Sequence, residues 1–326
     1  MSLAEPHPTE QPAAERPPLV VLVGPTAVGK TELSIQLAER VGGEIISADS
    51  RLFYRGMDIG TAKPSFLDRQ RVPHHLIDIA DPDETVGLAV FQRAAQQCIH
   101  EIIARSHLPF LVGGTGQYVR AVYQDWRIPA QRADPELREI LYAWGQKIGA
   151  RQLHARLRVV DPNAAAKIEP NNLRRTVRAL EVIFLTGMRF SEQRTRSQQP
   201  PYDVLILGLK RSRVEIYARI DARIQQMLAA GWLEEVRGLL DAGYSPDLPA
   251  MSAIGYQQLA EVLLGKRSLE DAVTEITSLT HHFVRRQANW FKIDDPQIHW
   301  FDADENMLAK MESLIRHHYR HHPTKL

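Results

Sequence analysis

Residues 24–31 read Gly24-Pro25-Thr26-Ala27-Val28-Gly29-Lys30-Thr31, the pattern G-x-x-x-x-G-K-[ST] in full. A loop of this kind needs a buried strand before it and a helix after it. Residues 19–23 are a continuous apolar run that predicts the strand, and residues 31–40 predict the helix, with Leu33, Leu37 and Val41 on one side. Gly24 and Gly29 let the backbone turn so that N–H groups and the helix N-terminus converge on phosphate oxygens. Lys30 then reaches the terminal phosphates and Thr31 is placed to ligate Mg²⁺. A di- or triphosphate is therefore the expected ligand of the whole loop.

Further along, residues 44–48, 76–79 and 110–112 predict three more strands, and residues 88–105 carry a helical pattern between the last two. Strands alternating with helices imply a mainly parallel sheet flanked by helices on both faces. From Pro135 to about Gly187 the pattern is helix after helix. Residues 204–208 return to the sheet, and helices follow over 215–230, 233–240, 252–264 and 269–291, with a short strand at 298–301. The fold class expected is α/β: a P-loop-containing nucleoside-triphosphate-hydrolase-like core plus an inserted helical domain. Its parts are a disordered leader over 1–18, a core over 19–126 and 204–309, an insertion over 127–203 and a flexible histidine-rich tail over 310–326. Trp126, Trp144, Trp232 and Trp290 are assigned to core or interface packing.

The formal charge of +1 hides an uneven distribution. Between Arg151 and Arg223 there are 15 Lys or Arg against 7 Asp or Glu. They cluster at Arg174, Arg175 and Arg178, at Arg189, Arg194 and Arg196, and at Lys210, Arg211 and Arg213, which suggests a polyanionic partner larger than a nucleotide. A solvated basic face is the plainer reading of the same charges. Cys98 is the single cysteine of the 326 residues, so a disulfide framework or cysteine zinc site within one chain is excluded. No apolar stretch of about 18 residues exists, and residues 1–18 lack the apolar segment of a signal peptide. The expectation is a cytoplasmic protein with no membrane span.

Two further elements converge on the same sheet edge as the phosphate loop. Asp49 stands just past the second strand, where ligands bind in open parallel sheets. A carboxylate there can ligate Mg²⁺ through water, hold a ribose or take a proton from a nucleophile; equally, it can simply form a turn. Gly113-Gly114-Thr115-Gly116 follows the fourth strand, and its small residues permit close backbone approach while Thr115 adds a hydroxyl. No apolar run ending in a Walker-B carboxylate is evident. A small-molecule kinase and a non-enzymatic nucleic-acid-binding protein remain as alternatives to a transferase.

In these residues the chain resembles the tRNA dimethylallyltransferase family, also called tRNA isopentenyltransferases or IPP transferases. The similar stretches are the phosphate loop and residues 46–50, 54–64, 72–78, 111–116, 178–182, 254–256 and 285–287, in family order over roughly 19–302. The segment Gly56-Met57-Asp58-Ile59-Gly60-Thr61-Ala62-Lys63-Pro64 is far more diagnostic than the phosphate loop. The resemblance implies transfer of a dimethylallyl group from dimethylallyl diphosphate to N6 of adenine 37, beside the anticodon, in tRNAs reading codons that begin with U. Diphosphate is then the leaving group, which accounts for the missing Walker-B element.

Carried over residue by residue, the resemblance makes Asp49 the general base and Thr115 a hydroxyl near the reacting centre. Lys30, Thr31 and Arg219 match residues that grip diphosphate, with Thr31 on Mg²⁺. Asp49, Ser50, Arg51, Leu52, Thr115, Arg138 and the stretch Arg174-Arg175-Thr176-Val177-Arg178 match positions that touch the tRNA anticodon stem-loop. The family's usual setting for this shorter form is the bacterial cytoplasm, and a monomer is expected. Arg51 and Leu52 stand where members usually carry Met-Gln, His281 where an arginine is usual and Val90 where an aspartate is usual. The histidines near the C-terminus are read as a flexible tail rather than a metal site.

Overall fold

A computed structural model describes residues 16–126, 128, 134–192, 200–320 and 322. The chain divides into two compact units, one of residues 1–123 and 199–326 and one of residues 124–198.

The larger unit is built on six strands, β1 (Pro18–Val23), β2 (Gly43–Ser47), β3 (His74–His75), β4 (Leu108–Gly113), β5 (Asp203–Lys210) and β6 (Ile298–Asp302). Their order is β3-β2-β4-β1-β5-β6, and every neighbouring pair is parallel. β1 lies near the middle and is apolar throughout because both of its faces are covered. Leu19, Val21 and Val23 point into one core and Val20 and Leu22 into the other.

On the second face pack α1 (Lys30–Val41), through Leu33 and Leu37, and α13 (Met307–His318), through Met311 and Ile315. On the first face lie α3 (Leu88–Ala104), α4 (Gly116–Tyr123), α9 (Arg213–Ala229), α10 (Trp232–Asp241), α11 (Tyr256–Leu263) and α12 (Leu269–Gln287). A further short helix, α2 (Phe66–Arg71), starts at a capping box in which Ser65 and Asp68 satisfy each other's backbone N–H groups.

Three expectations for this unit need correction. The third strand is the pair His74–His75 and not 76–79, because Leu76 (φ 61°) and Asp78 (φ 56°) are left-handed and cannot continue a pleated strand. The C-terminal segment is no flexible tail over its described part. α13 buries Met311 and Ile315, and beyond it Tyr319 is 1% exposed and donates to the Asp203 carbonyl at 3.0 Å. The amphipathic spacing of Met311, Ile315 and Tyr319 carried that signal, and the histidines between them obscured it. Of the leader expected over 1–18, residues 1–15 lie outside the described residues, but Pro18 already belongs to β1 and the Pro17 carbonyl accepts the N–H of Asp203.

The smaller unit is helical, with α5 (Pro135–Ile148), α6 (Ala150–Val160), α7 (Pro162–Ala165) and α8 (Leu173–Thr186). Its core is compact: Leu141, Leu153, Leu157, Ile168, Val177 and Leu180. Asp134, Asp161 and Asn172 cap α5, α7 and α8 through their side-chain oxygens. Trp144 belongs to the exposed face of α5, not to the core; the fully packed tryptophan is Trp232, in the larger unit.

Candidate active site at the carboxyl edge of the sheet

The phosphate loop leaves β1 at Gly24, where φ is +149° and a Cβ would stand 2.6 Å from the Leu209 carbonyl oxygen. Only glycine fits that approach. Ala27 is held at φ 64° and Gly29 at 114°, so the turn wraps tightly before α1 begins. Two arginines fasten it, one just past β5 and one on α9: Arg211 Nε donates to the Val28 carbonyl at 3.1 Å and Arg219 Nε to the Ala27 carbonyl at 2.7 Å.

Lys30 donates to the carbonyls of Gly24 at 3.0 Å and Pro25 at 2.8 Å. Burial pushes its ammonium down to about 8, the Asp49 charge pulling the other way and Arg223 adding to the drop. Thr31 is exposed on the first turn of α1, and its hydroxyl has no partner among the described residues.

Asp49 lies two residues past β2. One carboxylate oxygen accepts the N–H of Arg51 at 3.0 Å, which makes a turn closed by the side chain, and the Asp49 carbonyl accepts the N–H of Leu52 at 3.1 Å. The turn-forming reading therefore holds for Oδ1, and Oδ2 accepts from no described residue.

Sheet register brings Thr115 to the same edge. Ser47 pairs with Val112, the Ala48 N–H donates to the Val112 carbonyl at 2.8 Å, and a Cβ on Gly113 would meet the Ala48 carbonyl at 2.6 Å. The chain after β2 and the chain after β4 thus leave the sheet side by side. Thr115 caps the following helix through its carbonyl, which accepts from Tyr118 and Val119, and its hydroxyl is unpartnered among the described residues.

Arg223, one helical turn past Arg219 on α9, belongs to this constellation and was not singled out from sequence. It is half-buried, it senses the Asp49 charge, and no described residue accepts a hydrogen bond from it. Burial pushes its guanidinium below the usual arginine range, with Asp49 opposing and Arg219 adding. The i, i+4 spacing from Arg219 was the available signal.

The positions matched to tRNA contacts divide sharply. Ser50, Arg51 and Leu52 are half-buried at the Asp49 turn, and Arg51 reaches across to the carbonyls of Pro249 at 3.2 Å and Ala250 at 3.4 Å. In the helical unit Arg174 and Arg175 are exposed on α8. Thr176 and Val177 are not surface residues: they are 0% and 1% exposed and face the helical core, so a contact reading of them is corrected. Arg138 and Arg178 both bind the carboxylate of Glu181, itself 0% exposed, at 3.0 and 2.9 Å. Their charge is committed to neutralising a buried acid. Arg194 and Arg196 lie outside the described residues.

Where the usual arginine is absent, His281 stacks on Tyr217 with ring centroids 4.0 Å apart and meets Asp221 at 2.9 Å. The diagnostic segment 56–64 is a structural brace. Glu235 of α10 accepts the N–H groups of Asp58, Ile59 and Gly60 together with the Tyr256 hydroxyl, and Lys63, almost fully buried, reaches Asp58, Asp78 and the Tyr54 carbonyl.

The donor set fits a hard divalent cation held mainly by a substrate. Among the described residues no cluster of three His, Cys, Asp or Glu could hold a metal by itself. The free hydroxyl of Thr31, on the first turn of α1 after the phosphate loop, is the kind of ligand Mg²⁺ uses when it keeps its remaining positions for phosphate oxygens and water. No helix among the described residues is long and apolar enough to cross a membrane.

The chain matches the family model described as IPP transferase over residues 52–294, and one described as isopentenyl transferase over residues 17–73. It is 52% identical over 298 residues to the tRNA dimethylallyltransferase of Roseiflexus sp. (strain RS-1), covering 91% of this chain and 97% of that one. To the enzyme of the same name from Thermomicrobium roseum it is 49% identical over 307 residues, 93% of each chain. Among crystal structures, the tRNA isopentenylpyrophosphate transferase of Bacillus halodurans superposes with a TM-score of 0.70 at 41% identity, over 94% of this chain and 97% of that one. A eukaryotic dimethylallyltransferase acting on tRNA gives a TM-score of 0.77 at 26% identity, over 93% of this chain and 79% of that one.

Proposed function

The chain belongs to the IPP transferase family, and from that premise we propose that it moves the dimethylallyl group of dimethylallyl diphosphate onto N6 of adenine 37 in tRNAs that read codons beginning with U. The observation that carries this reading is the register of β2 on β4, which delivers Asp49 and Thr115 to one edge, together with the charge of Asp49 felt at Lys30 of the phosphate loop.

In this reading the phosphate loop, Lys30, Arg219 and Arg223 hold the diphosphate and neutralise it as it leaves. Fixed cations and N–H groups are most effective when aimed at charge that develops in the transition state. The N6 nitrogen attacks the allylic carbon, the bond from that carbon to the diphosphate oxygen breaks, and the N6 proton passes to Oδ2 of Asp49. Oδ1 keeps the Asp49 turn closed throughout. The Thr115 hydroxyl hydrogen-bonds at the reacting centre. Mg²⁺ would be held by Thr31 and would screen the diphosphate charge.

Arg174 and Arg175 serve as phosphate contacts for the anticodon stem-loop, and Ser50, Arg51 and Leu52 lie against the bases near the target. The cellular site is the bacterial cytoplasm. Incubation of the protein with labelled dimethylallyl diphosphate and tRNA, then digestion to nucleosides, tests the reading: one N6-dimethylallyladenosine should form per diphosphate released. ADP formation from ATP without label in the tRNA would instead identify a kinase, and tRNA binding without either product a binding protein.

A further inference from the structure

The last residue of α12, Gln287, is 7% exposed and stands between the two loops of the site. Its Oε1 accepts the N–H of Thr26, in the phosphate loop, at 2.8 Å. Its Nε2 donates to the carbonyl of Gly114, in the segment that carries Thr115, at 3.3 Å. A backbone N–H can only donate and a carbonyl can only accept, so these two partners dictate which way the carboxamide points.

The neighbouring glycines are shaped to this contact. A Cβ on Gly114 would lie 2.5 Å from Gln287 Nε2, and one on Gly116 would lie 2.3 Å from the Trp290 ring. The backbone on either side of Thr115 is therefore pressed against the C-terminal end of α12 and the turn that follows it. Arg120 of α4 adds a third tie by donating to the Trp290 carbonyl. Of these contacts, only Gln287 also reaches the phosphate loop.

On the functional reading above, we propose that Gln287 is a positioning residue for the transfer step: its carboxamide sets the spacing between the loop that holds the leaving diphosphate and the Thr115 segment beside the acceptor. The carboxamide is buried and satisfied at both ends, so it transmits displacement of one loop to the other. Transfer depends on the reacting atoms being held at near-attack distance, and a displacement of about 1 Å can cost about 10²-fold in rate. Donor affinity, by contrast, rests on the loop amides and cations, which Gln287 does not replace.

Gln287→Met keeps the length and removes both hydrogen bonds. With dimethylallyl diphosphate and tRNA saturating, its single-turnover transfer should fall by about 10 to 10²-fold while the donor dissociation constant moves less than about threefold. Without substrates, hydrogen exchange should quicken together at residues 24–31 and 113–116. A cycle of Gly114→Ala, Gln287→Ala and the double variant gives the independent readout. Gly114→Ala alone pushes the carboxamide away, whereas in the double variant the new methyl is freed from the 2.5 Å clash and keeps the Gly24 carbonyl, at 3.3 Å, so the double loss should be smaller than the product of the single losses. A saturated rate equal to the parent's in Gln287→Met, or losses that multiply, would overturn the proposal. If the parent chain transfers nothing, the functional reading and the catalytic half of the proposal fall together. Exchange quickening in only one of the two segments would disprove the coupling by itself, whatever the activity.

Discussion

One carboxylate oxygen of Asp49 accepts the backbone N–H of Arg51 at 3.0 Å, so the side chain proposed as base also closes the turn that aims it. Asparagine retains an acceptor for that N–H but is not basic. Asp49→Asn should therefore leave tRNA affinity nearly unchanged and slow the saturated single-turnover step by about 10² to 10⁴-fold. Asp49→Ala, which also opens the turn, should weaken tRNA binding as well. An Asn variant that matched the parent in single turnover would make Asp49 structural.

Lys30 gives a pH signature. Its ammonium loses its proton near 8 in the free protein, so the charge that receives diphosphate is present below that pH and is lost as the pH rises through it. The kcat/KM for the donor should fall on the alkaline side of about pH 8, and Lys30→Arg, which stays charged, should flatten that limb. Lys30→Ala should cost about 10²-fold or more in transfer at low donor concentration. The profile from pH 6.5 to 9.5, a range chosen as roughly bracketing that value, checks both.

Arg219 and Arg223 are one helical turn apart on α9, yet they differ in commitment. Arg219 already binds the Ala27 carbonyl, whereas Arg223 has no acceptor among the described residues. Arg223→Ala should raise the donor dissociation constant by about 10-fold or more, the scale of one charge-assisted hydrogen bond, with little change in thermal stability. Arg219→Ala should lower both affinity and the melting temperature, because it also releases the loop. Calorimetric donor titration alongside thermal unfolding separates the two.

On the helical unit the cations should behave in two ways. Neutralising exposed Arg174 and Arg175 together should lower tRNA affinity and reduce the slope of log affinity against log salt by about 1 to 2, with donor binding unchanged. Arg138→Ala instead removes one of the two cations that hold the buried Glu181 carboxylate and should destabilise the unit by about 1 to 3 kcal/mol. An unaltered salt slope in the Arg174 and Arg175 variant would place the RNA surface elsewhere.

At the opposite end of β2, Glu44 carries an acid-stability prediction. Burial pushes its carboxyl up, but hydrogen bonds from Arg105, His107 and His75 outweigh that and hold it at about 2 against an ordinary 4.5. A lowered folded-state value means stabilisation that is fully present above about 4.5 and lost as the pH falls toward 2. Arg105 and His107 are about half exposed and so partly screened by water; Glu44→Gln should therefore cost about 1 to 3 kcal/mol at pH 7, and the gap from the parent should shrink between pH 4.5 and 2. Denaturant unfolding at several pH values measures it.

Legibility in the sequence followed the range of the interaction responsible. The strand before the phosphate loop, the helix after it and the helical run after Pro135 all rest on repeats a few residues long, and the structure places them within a residue or two of expectation. The third strand failed because left-handed Leu76 and Asp78 have no compositional mark. α2 was missed although its capping signature, Ser65 followed by Asp68, was present. Thr176 and Val177 were grouped with their basic neighbours in one stretch, and the helical period then turned those two inward.

The strand, phosphate-loop pattern and helix, the parallel α/β core and the helical insertion were all readable from the chain alone, because glycine placement, apolar runs and helical period are local properties. Long-range packing alone settled which charges gather around Asp49 and which brace the fold. It set Arg223 into the Asp49 field, bound Arg138 and Arg178 to Glu181, and joined Gln287 to Thr26, 261 residues away. Those pairings arise when the sheet register and helix packing bring distant segments together, and no short-range pattern in the chain encodes them.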